Sequence, residues 1–478
     1  MALEHDFESI RGELAQCGQA HLLAFWADLG PSEQDHLRGQ IGDLDLSRIP
    51  TWVDKLVINP EEHTICPEDF EPAQSYGIEP QTDAEQTRYA EAVRLGEDLI
   101  AAGKVAAFVV AGGQGTRLGF DGPKGNYPIS PIRNKTLFQI FAETIAAVSQ
   151  RYGAVCPWYI MTSPLNHAAT VEIFKAADFY GLGRDNVCIF QQGTLPNFSF
   201  DGKILLADKA SIARSPDGHG GAIGALVRSG ALADMQKRGV EYLSYWQVDN
   251  PLVKLFDPLF VGLHALDGAE MSSKAVIKSN PQEKVGNFCL VDGKVTVIEY
   301  SDLPDELAEK RDANGSLLFH LGSIAIHIIS TRFIEKLGAD GGSLPLHRAV
   351  KKIPHIDAQG HPVDPAEPNG VKLESFIFDA LPMAEHSIIL DIERSEQFAP
   401  TKNATGIDSA ESCRAMMVER AAHWLESAGI AVPRRADGSP DCLIEIAPSF
   451  ALEPADLKAR LDQIPAIKPG DKLYLAEM

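Results

Sequence analysis

VAAFVVAGGQGTRLGFDGPKG, residues 105–125, runs an apolar segment straight into a glycine-rich turn, an arginine and Pro123-Lys124-Gly125. An apolar strand that ends in glycines exposes successive backbone N–H groups, which form an anion-binding concavity, and Arg117 and Lys124 supply full positive charges. The stretch reads as a phosphate cradle. A Walker loop would need Gly-Lys followed by Ser or Thr, but Gly103-Lys104, Gly202-Lys203 and Gly293-Lys294 are each followed by Val or Ile. The dinucleotide fingerprint would need G-x-G-x-x-G, whereas Gly113, Gly115 and Gly119 are spaced G-x-G-x-x-x-G with a basic residue inside. A P-loop NTPase and a dehydrogenase are both disfavoured.

Outward from this loop, residues 96–395 alternate strand-like runs with amphipathic helices. AAFVVA, WYIMTS and VCIFQQ are separated by TLFQIFAETIAAVSQRY and a helix near Ala168 to Phe179; YLSYWQVDN, SSKAVIKS, GNFCLVDGKVTVIEYSD and SLLFHLGSIAIHII follow. This pattern predicts an α/β fold with a mixed, mostly parallel sheet and helices on both faces. Ligands of such sheets sit beyond the carboxyl ends of the strands. Residues 1–95 read as a mostly helical region, with Phe7, Ile10 and Leu14 on one face and a helix start at Ser32-Glu33-Gln34-Asp35. Prolines 60, 67, 72 and 80 predict an extended segment over about 60–82. Residues 396–478 read as a small appended domain, a helix near 409–427 followed by a β-rich tail.

The chain has 478 residues and a formal charge of -23, so its field repels polyanions. Nucleic acid and anionic membranes are excluded as partners on this ground, and any phosphate must be held by local cations. Seven scattered cysteines without a C-x-x-C pair predict reduced thiols in a cytoplasmic protein. The acidic start MALEHDFESIRGEL lacks the features of a signal peptide, and no apolar run reaches the roughly 20 residues of a membrane span.

Several other residues carry candidate chemistry. Asp249, after the strand Tyr242 to Val248, is either a turn residue before Asn250-Pro251 or a carboxylate that holds Mg²⁺ together with substrate phosphates. Asp217-Gly218-His219-Gly220-Gly221 is a second glycine turn, entering a helical stretch Ala222 to Arg238; it is either a plain turn or a nucleotide contact. The amide of Gln192 could read a base edge. Lys402 lies in a non-repetitive loop and is either solvated or a ligand contact. Glu299 interrupts an apolar strand, on its polar face or toward sugar hydroxyls. Phe376 and Phe378, at spacing two, share one face of a strand, as core or as ligand wall.

Taken in order, AGGQGTRLG, PKG, KTLFQIFAE, WYIMTS, LPNFSFDGKILL, SPDGHGG, VDN, VIEYSD, VKKIPHIDAQG, PNGVKLESFIFD and FAPTKNA make the sequence resemble the eukaryotic-type UDP-sugar pyrophosphorylases, most closely the N-acetylhexosamine members. The resemblance covers about residues 96–405. It implies a Rossmann-like nucleotidyltransferase domain that forms a UDP-sugar and pyrophosphate from UTP and a sugar 1-phosphate, with a homo-oligomer left open. Ala111, Gly112, Gly113, Gly115 and Thr116 are implied to hold uridine and phosphates, and Gln192, Gly218 and His219 to recognise uracil. Arg117, Lys124 and Lys402 are implied to be catalytic, Asp249 to hold Mg²⁺, and Gly286, Glu299, Ser323, Phe376 and Phe378 to line the sugar pocket. Two positions depart from the N-acetylhexosamine pattern: His219 and Ser323 stand where those members usually carry Asn. They favour, as the alternative, a UDP-glucose or broad-specificity enzyme. A non-catalytic nucleotide-sugar sensor is disfavoured because Arg117, Lys124, Asp249 and Lys402 are all present.

Overall fold

In the computed structural model, which describes residues 2–60, 69–339 and 342–477, the run before the glycine loop is the strand Val105–Val110 (β1). Its expected neighbours follow as Trp158–Thr162 (β2), Val187–Gln191 (β3) and Tyr242–Gln247 (β4). They pair in parallel in the order β4-β1-β2-β3. Parallel neighbours need crossovers, and helices such as Leu137–Tyr152 and His167–Ala176 supply them. Leu137–Tyr152 starts where the Thr136 hydroxyl accepts the Gln139 N–H at 3.2 Å and stops at Gly153, whose φ is 65°. Its buried face, Phe138, Phe141 and Ile145, joins Val105, Ala107, Val109, Trp158 and Trp246 in one core. Trp158 and Trp246 stack at 6.5 Å; each such buried side chain is worth about 3 kcal/mol.

Beyond β4 the alternation of strand and helix gives way to antiparallel pairing. Met271–Ile277 (β5), Gly286–Val291 (β6), Lys294–Ile298 (β7) and Leu321–Ser330 (β8) extend the same sheet, with β8 antiparallel to β4, β5 and β6. The stretch 286–302 folds back on itself at Asp292-Gly293, both at positive φ (51° and 75°), which is the backbone a two-residue hairpin requires. The sheet is therefore mixed, with the parallel block carrying the glycine loop.

The chain groups into two compact units that are discontinuous in sequence. One comprises 67–192, 222–343 and 378–478 and contains this sheet. Within it the helix Ala410–Ser427 and the parallel strands Leu443–Ile446 and Lys472–Leu475 bury Trp424, Leu425, Ile444 and Phe450. The Glu445 carboxylate accepts the N–H groups of Ile132 and Arg133 at 2.8 and 2.9 Å, tying this tail to the sheet region. The other unit comprises 1–66, 193–221 and 344–377. Its helices Ala2–Gln16 and Pro31–Gly42 bury Leu14, Leu37 and Ile41 with Phe198, Val371 and Leu373 of a three-stranded sheet. Of the residues named from sequence, Cys66 and Pro67 lie outside the described ones; the six described cysteines are free thiols. No helix among the described residues is long and apolar enough to cross a membrane.

Candidate functional site

The glycine loop is shaped by hydrogen bonds to its carbonyls. β1 delivers Ala111, whose N–H donates to the Met161 carbonyl at 2.7 Å. The buried Asn166 amide then donates to the carbonyls of Ala111 and Gly113 at 2.8 and 3.1 Å, and the Ser163 hydroxyl donates to that of Gly112 at 2.7 Å. With these carbonyls tied down, the N–H groups of Gly112 and Gly113 have no acceptor among the described residues. Donors so exposed suit an anion. Gln192 closes one side: a Cβ at Gly112 would lie 2.4 Å from its Oε1, so a side chain there would displace the Gln192 amide. Gly115 and Thr116 continue the turn, the Gly115 N–H donating to the Gly122 carbonyl at 2.9 Å. Ser163 and Asn166 were not singled out from sequence; the polar Ser-Pro-Leu-Asn run ending β2 is the signal that could have found them.

Two cations frame the loop differently. Lys124 is held from its backbone, its N–H donating to Gly113 O at 3.0 Å, and its Nζ stands 3.9 Å from Asp249 Oδ2, with both side chains largely buried. Arg117 is exposed and has no ion pair or hydrogen bond through its side chain among the described residues. Asp249 follows β4, and its carbonyl accepts the Thr401 N–H at 2.9 Å, which brings the segment bearing Lys402 to the same place. The Lys402 N–H donates to Asp408 O at 2.7 Å. Burial pushes the Asp408 carboxyl up, opposed by Lys402 and reinforced by Asp249.

At the residues implied to line a sugar pocket, register does the assembly. Gly286 at the start of β6 pairs with Ser323 of β8. A Cβ at 286 would lie 2.5 Å from Val297 Cγ1, 3.4 Å from Glu299 Oε1 and 3.8 Å from Ser323 Cβ, so Gly286, Glu299 and Ser323 converge. The phenylalanines correct an expectation. The strand Gly370–Ser375 ends before them, because the chain enters a 3-10 turn over Ile377–Met383, so Phe376 and Phe378 do not share a strand face.

In the other unit, Gly218 has φ 84° and lies so close to the backbone of Ser375 that a Cβ would fall 2.3 Å from its carbonyl oxygen. His219 Nδ1 accepts the Ile377 N–H at 3.1 Å, which places the proton of the neutral ring on Nε2. Its ring stacks on Phe376 at 5.3 Å, and desolvation, opposed by Glu374, pushes the imidazole down to about 4. The helical stretch after this turn is two helices, Ala222–Arg228 and Ala231–Arg238, broken where Gly230 takes φ 79°.

Among the described residues no group of three or more His, Cys, Asp or Glu could cage a metal. A single hard carboxylate beside a phosphate cradle fits an ion that takes its remaining ligands from phosphates and water, as Mg²⁺ does. A cavity of about 650 Å³, lined by Lys254, Glu396, Arg420, Trp424 and Glu445 among others, contains none of the candidate site residues.

With this geometry in view, residues 57–476 match the family described as UTP--glucose-1-phosphate uridylyltransferase. The chain is 36% identical over 503 residues to the UDP-N-acetylhexosamine pyrophosphorylase-like protein 1 of Homo sapiens, covering 99% of this chain and 98% of that one. It is 34% identical over 433 residues to the UDP-N-acetylglucosamine pyrophosphorylase of Saccharomyces cerevisiae, covering 87% and 91%. The uridine diphosphate N-acetylglucosamine pyrophosphorylase of Trypanosoma brucei, solved with an inhibitor, shares the fold: TM-score 0.82 at 24% identity, over 99% of this chain and 98% of that one.

Proposed function

This chain belongs to the UTP--glucose-1-phosphate uridylyltransferase family, and we propose that it joins UTP to N-acetylglucosamine 1-phosphate, releasing pyrophosphate and forming UDP-N-acetylglucosamine. A phosphate oxygen of the sugar 1-phosphate attacks the α-phosphorus of UTP in line; the new P–O bond forms as the bond to the β-phosphate breaks. That oxygen is already anionic near neutral pH, so no general base is needed, and the work is positioning and charge neutralisation.

The observation that carries this reading is the meeting of Lys124 and Asp249, at 3.9 Å, beside the N–H groups of Gly112 and Gly113. In the proposed complex those N–H groups and Lys124 hold the UTP phosphates, Arg117 folds onto them from solvent, and Gln192 reads the uracil edge. Lys402 contacts the reacting phosphate, while Gly286, Glu299, Ser323 and Phe378 receive the sugar. Asp249 would hold Mg²⁺, which when bound supplies positive charge to phosphate oxygens. Residues 96–395 then carry most of the catalytic groups, with Lys402 supplied by 396–478 and residues 1–95 preceding them.

Ser323 favours a second reading. It pairs with Gly286 in the register and its hydroxyl reaches less far than an Asn amide, so it suits an N-acetyl group less well than Asn would, and glucose 1-phosphate would lose no partner there. Thermal unfolding with each nucleoside triphosphate tests the nucleotide half of the proposal. UTP at about 100 times its Kd should stabilise by about 2.7 kcal/mol. Equal stabilisation by ATP would sink it.

A further inference from the structure

Lys274 is a charge inside the apolar strand MSSKAVI, and its side chain is wholly buried. The register between β5 and β8 shifts between Ser273 and Ala275, a bulge of the kind that re-aims a side chain. Its Nζ donates to Asp257 Oδ2 at 2.7 Å and to Gln397 Oε1 at 2.6 Å. Burial pulls the ammonium down, opposed by Asp257. Stability alone does not explain a buried ion pair, since apolar side chains of the same volume often serve equally well. Its second bond leads elsewhere. The Gln397 carbonyl accepts from Asn250 Nδ2 at 2.8 Å, and Asn250 Oδ1 accepts the Ala399 N–H at 3.0 Å. Two residues further, the Thr401 N–H is bonded to the Asp249 carbonyl, and Lys402 follows. A continuous chain of bonds thus runs from a buried cation in the sheet to the segment that carries Lys402.

We propose that Lys274 and Gln397 are positioning residues, fixing the 397–402 segment so that Lys402 and Asp249 are held together for the reaction. The proposal rests on the reading of Lys402 as the contact to the reacting phosphate. Gln397 is half-buried, so its removal opens no deep core, and neither residue needs to touch substrate.

The test is a double-mutant cycle on uridylyl transfer in the full-length protein, with unfolding temperatures measured alongside. Lys402→Ala alone comes first: unchanged turnover would overturn the role of Lys402 itself. Gln397→Ala should lower kcat by about 10- to 100-fold, the size expected for a misplaced catalytic group, with KM for both substrates nearly unchanged. In the Lys402→Ala background the same change should cost less than about twofold, because the group it positions is gone. Gln397→Glu keeps an oxygen for Lys274 and should retain most of the activity that Gln397→Ala loses. An equal loss from Gln397→Ala in both backgrounds, an unchanged kcat, or an equal loss in the Glu and Ala variants would overturn the proposal and leave the role of Lys402 standing.

Discussion

Residues 111–124 build the proposed phosphate side from one continuous stretch, while Gly286, Glu299 and Ser323 reach the proposed sugar side from β6, from the end of β7 and from β8. The first is fixed from the end of the neighbouring strand β2, chiefly by Asn166 and Ser163 donating to the loop carbonyls. The second exists only because Gly286 pairs with Ser323; a slip of one residue would turn each side chain to the opposite face. The loop depends on the parallel pairing of β1 with β2, and the second group on the antiparallel pairing of β6 with β8. The two halves should therefore fail separately when mutated.

The largest effect is expected on the phosphate side. Asp249→Asn and Lys124→Ala should each lower kcat by about 10²- to 10³-fold, the usual loss when one charge-stabilising group is removed. Steady-state kinetics would show it, and a change in sugar KM alone would contradict the division. Next, Gly286→Ala drives a methyl to 2.5 Å from Val297, so it should cost about 1–3 kcal/mol of stability and raise the KM for sugar 1-phosphate about tenfold while leaving that for UTP unchanged. Equal rises in both KM values would break the comparison. Smaller again, Ser323→Asn should shift the ratio of kcat/KM for N-acetylglucosamine 1-phosphate over glucose 1-phosphate by about tenfold toward the acetylated sugar, the worth of one hydrogen bond.

The smallest concerns the histidine turn. Folded His219 titrates near 4 against an ordinary 6.5, so between those values the unfolded chain binds the proton better. The stability of its neutral form is fully present above pH 6.5 and is lost as pH falls toward 4. His264, bonded to Ser272 and Ser330 and pushed down to about 3 by burial, has the same sign. His219→Asn should make the acid fall in unfolding temperature shallower without abolishing it; an identical profile would show that His219 does not contribute.

Legibility follows the same division. The strand β1, the glycine loop, Lys124 and Asp249 were legible because their signals are contiguous or sit at strand ends. The hairpin at Asp292-Gly293 was missed, although Asp-Gly is a turn signal, because the flanking apolar runs read as one strand. Phe376 and Phe378 were placed on a strand that stops at Ser375, an end set by the 3-10 turn and not by side-chain pattern. The bond network from Lys274 through Gln397 to Asn250 spans residues 250 to 397, and no local pattern reports a contact of that range.

One measurement bears most directly on the central claim: pyrophosphate release from UTP and Mg²⁺ with the 1-phosphates of N-acetylglucosamine, N-acetylgalactosamine, glucose and galactose. Release with N-acetylglucosamine 1-phosphate, abolished by a chelator and by Asp249→Asn, is the predicted result. Absence of release with all four sugars would contradict the account.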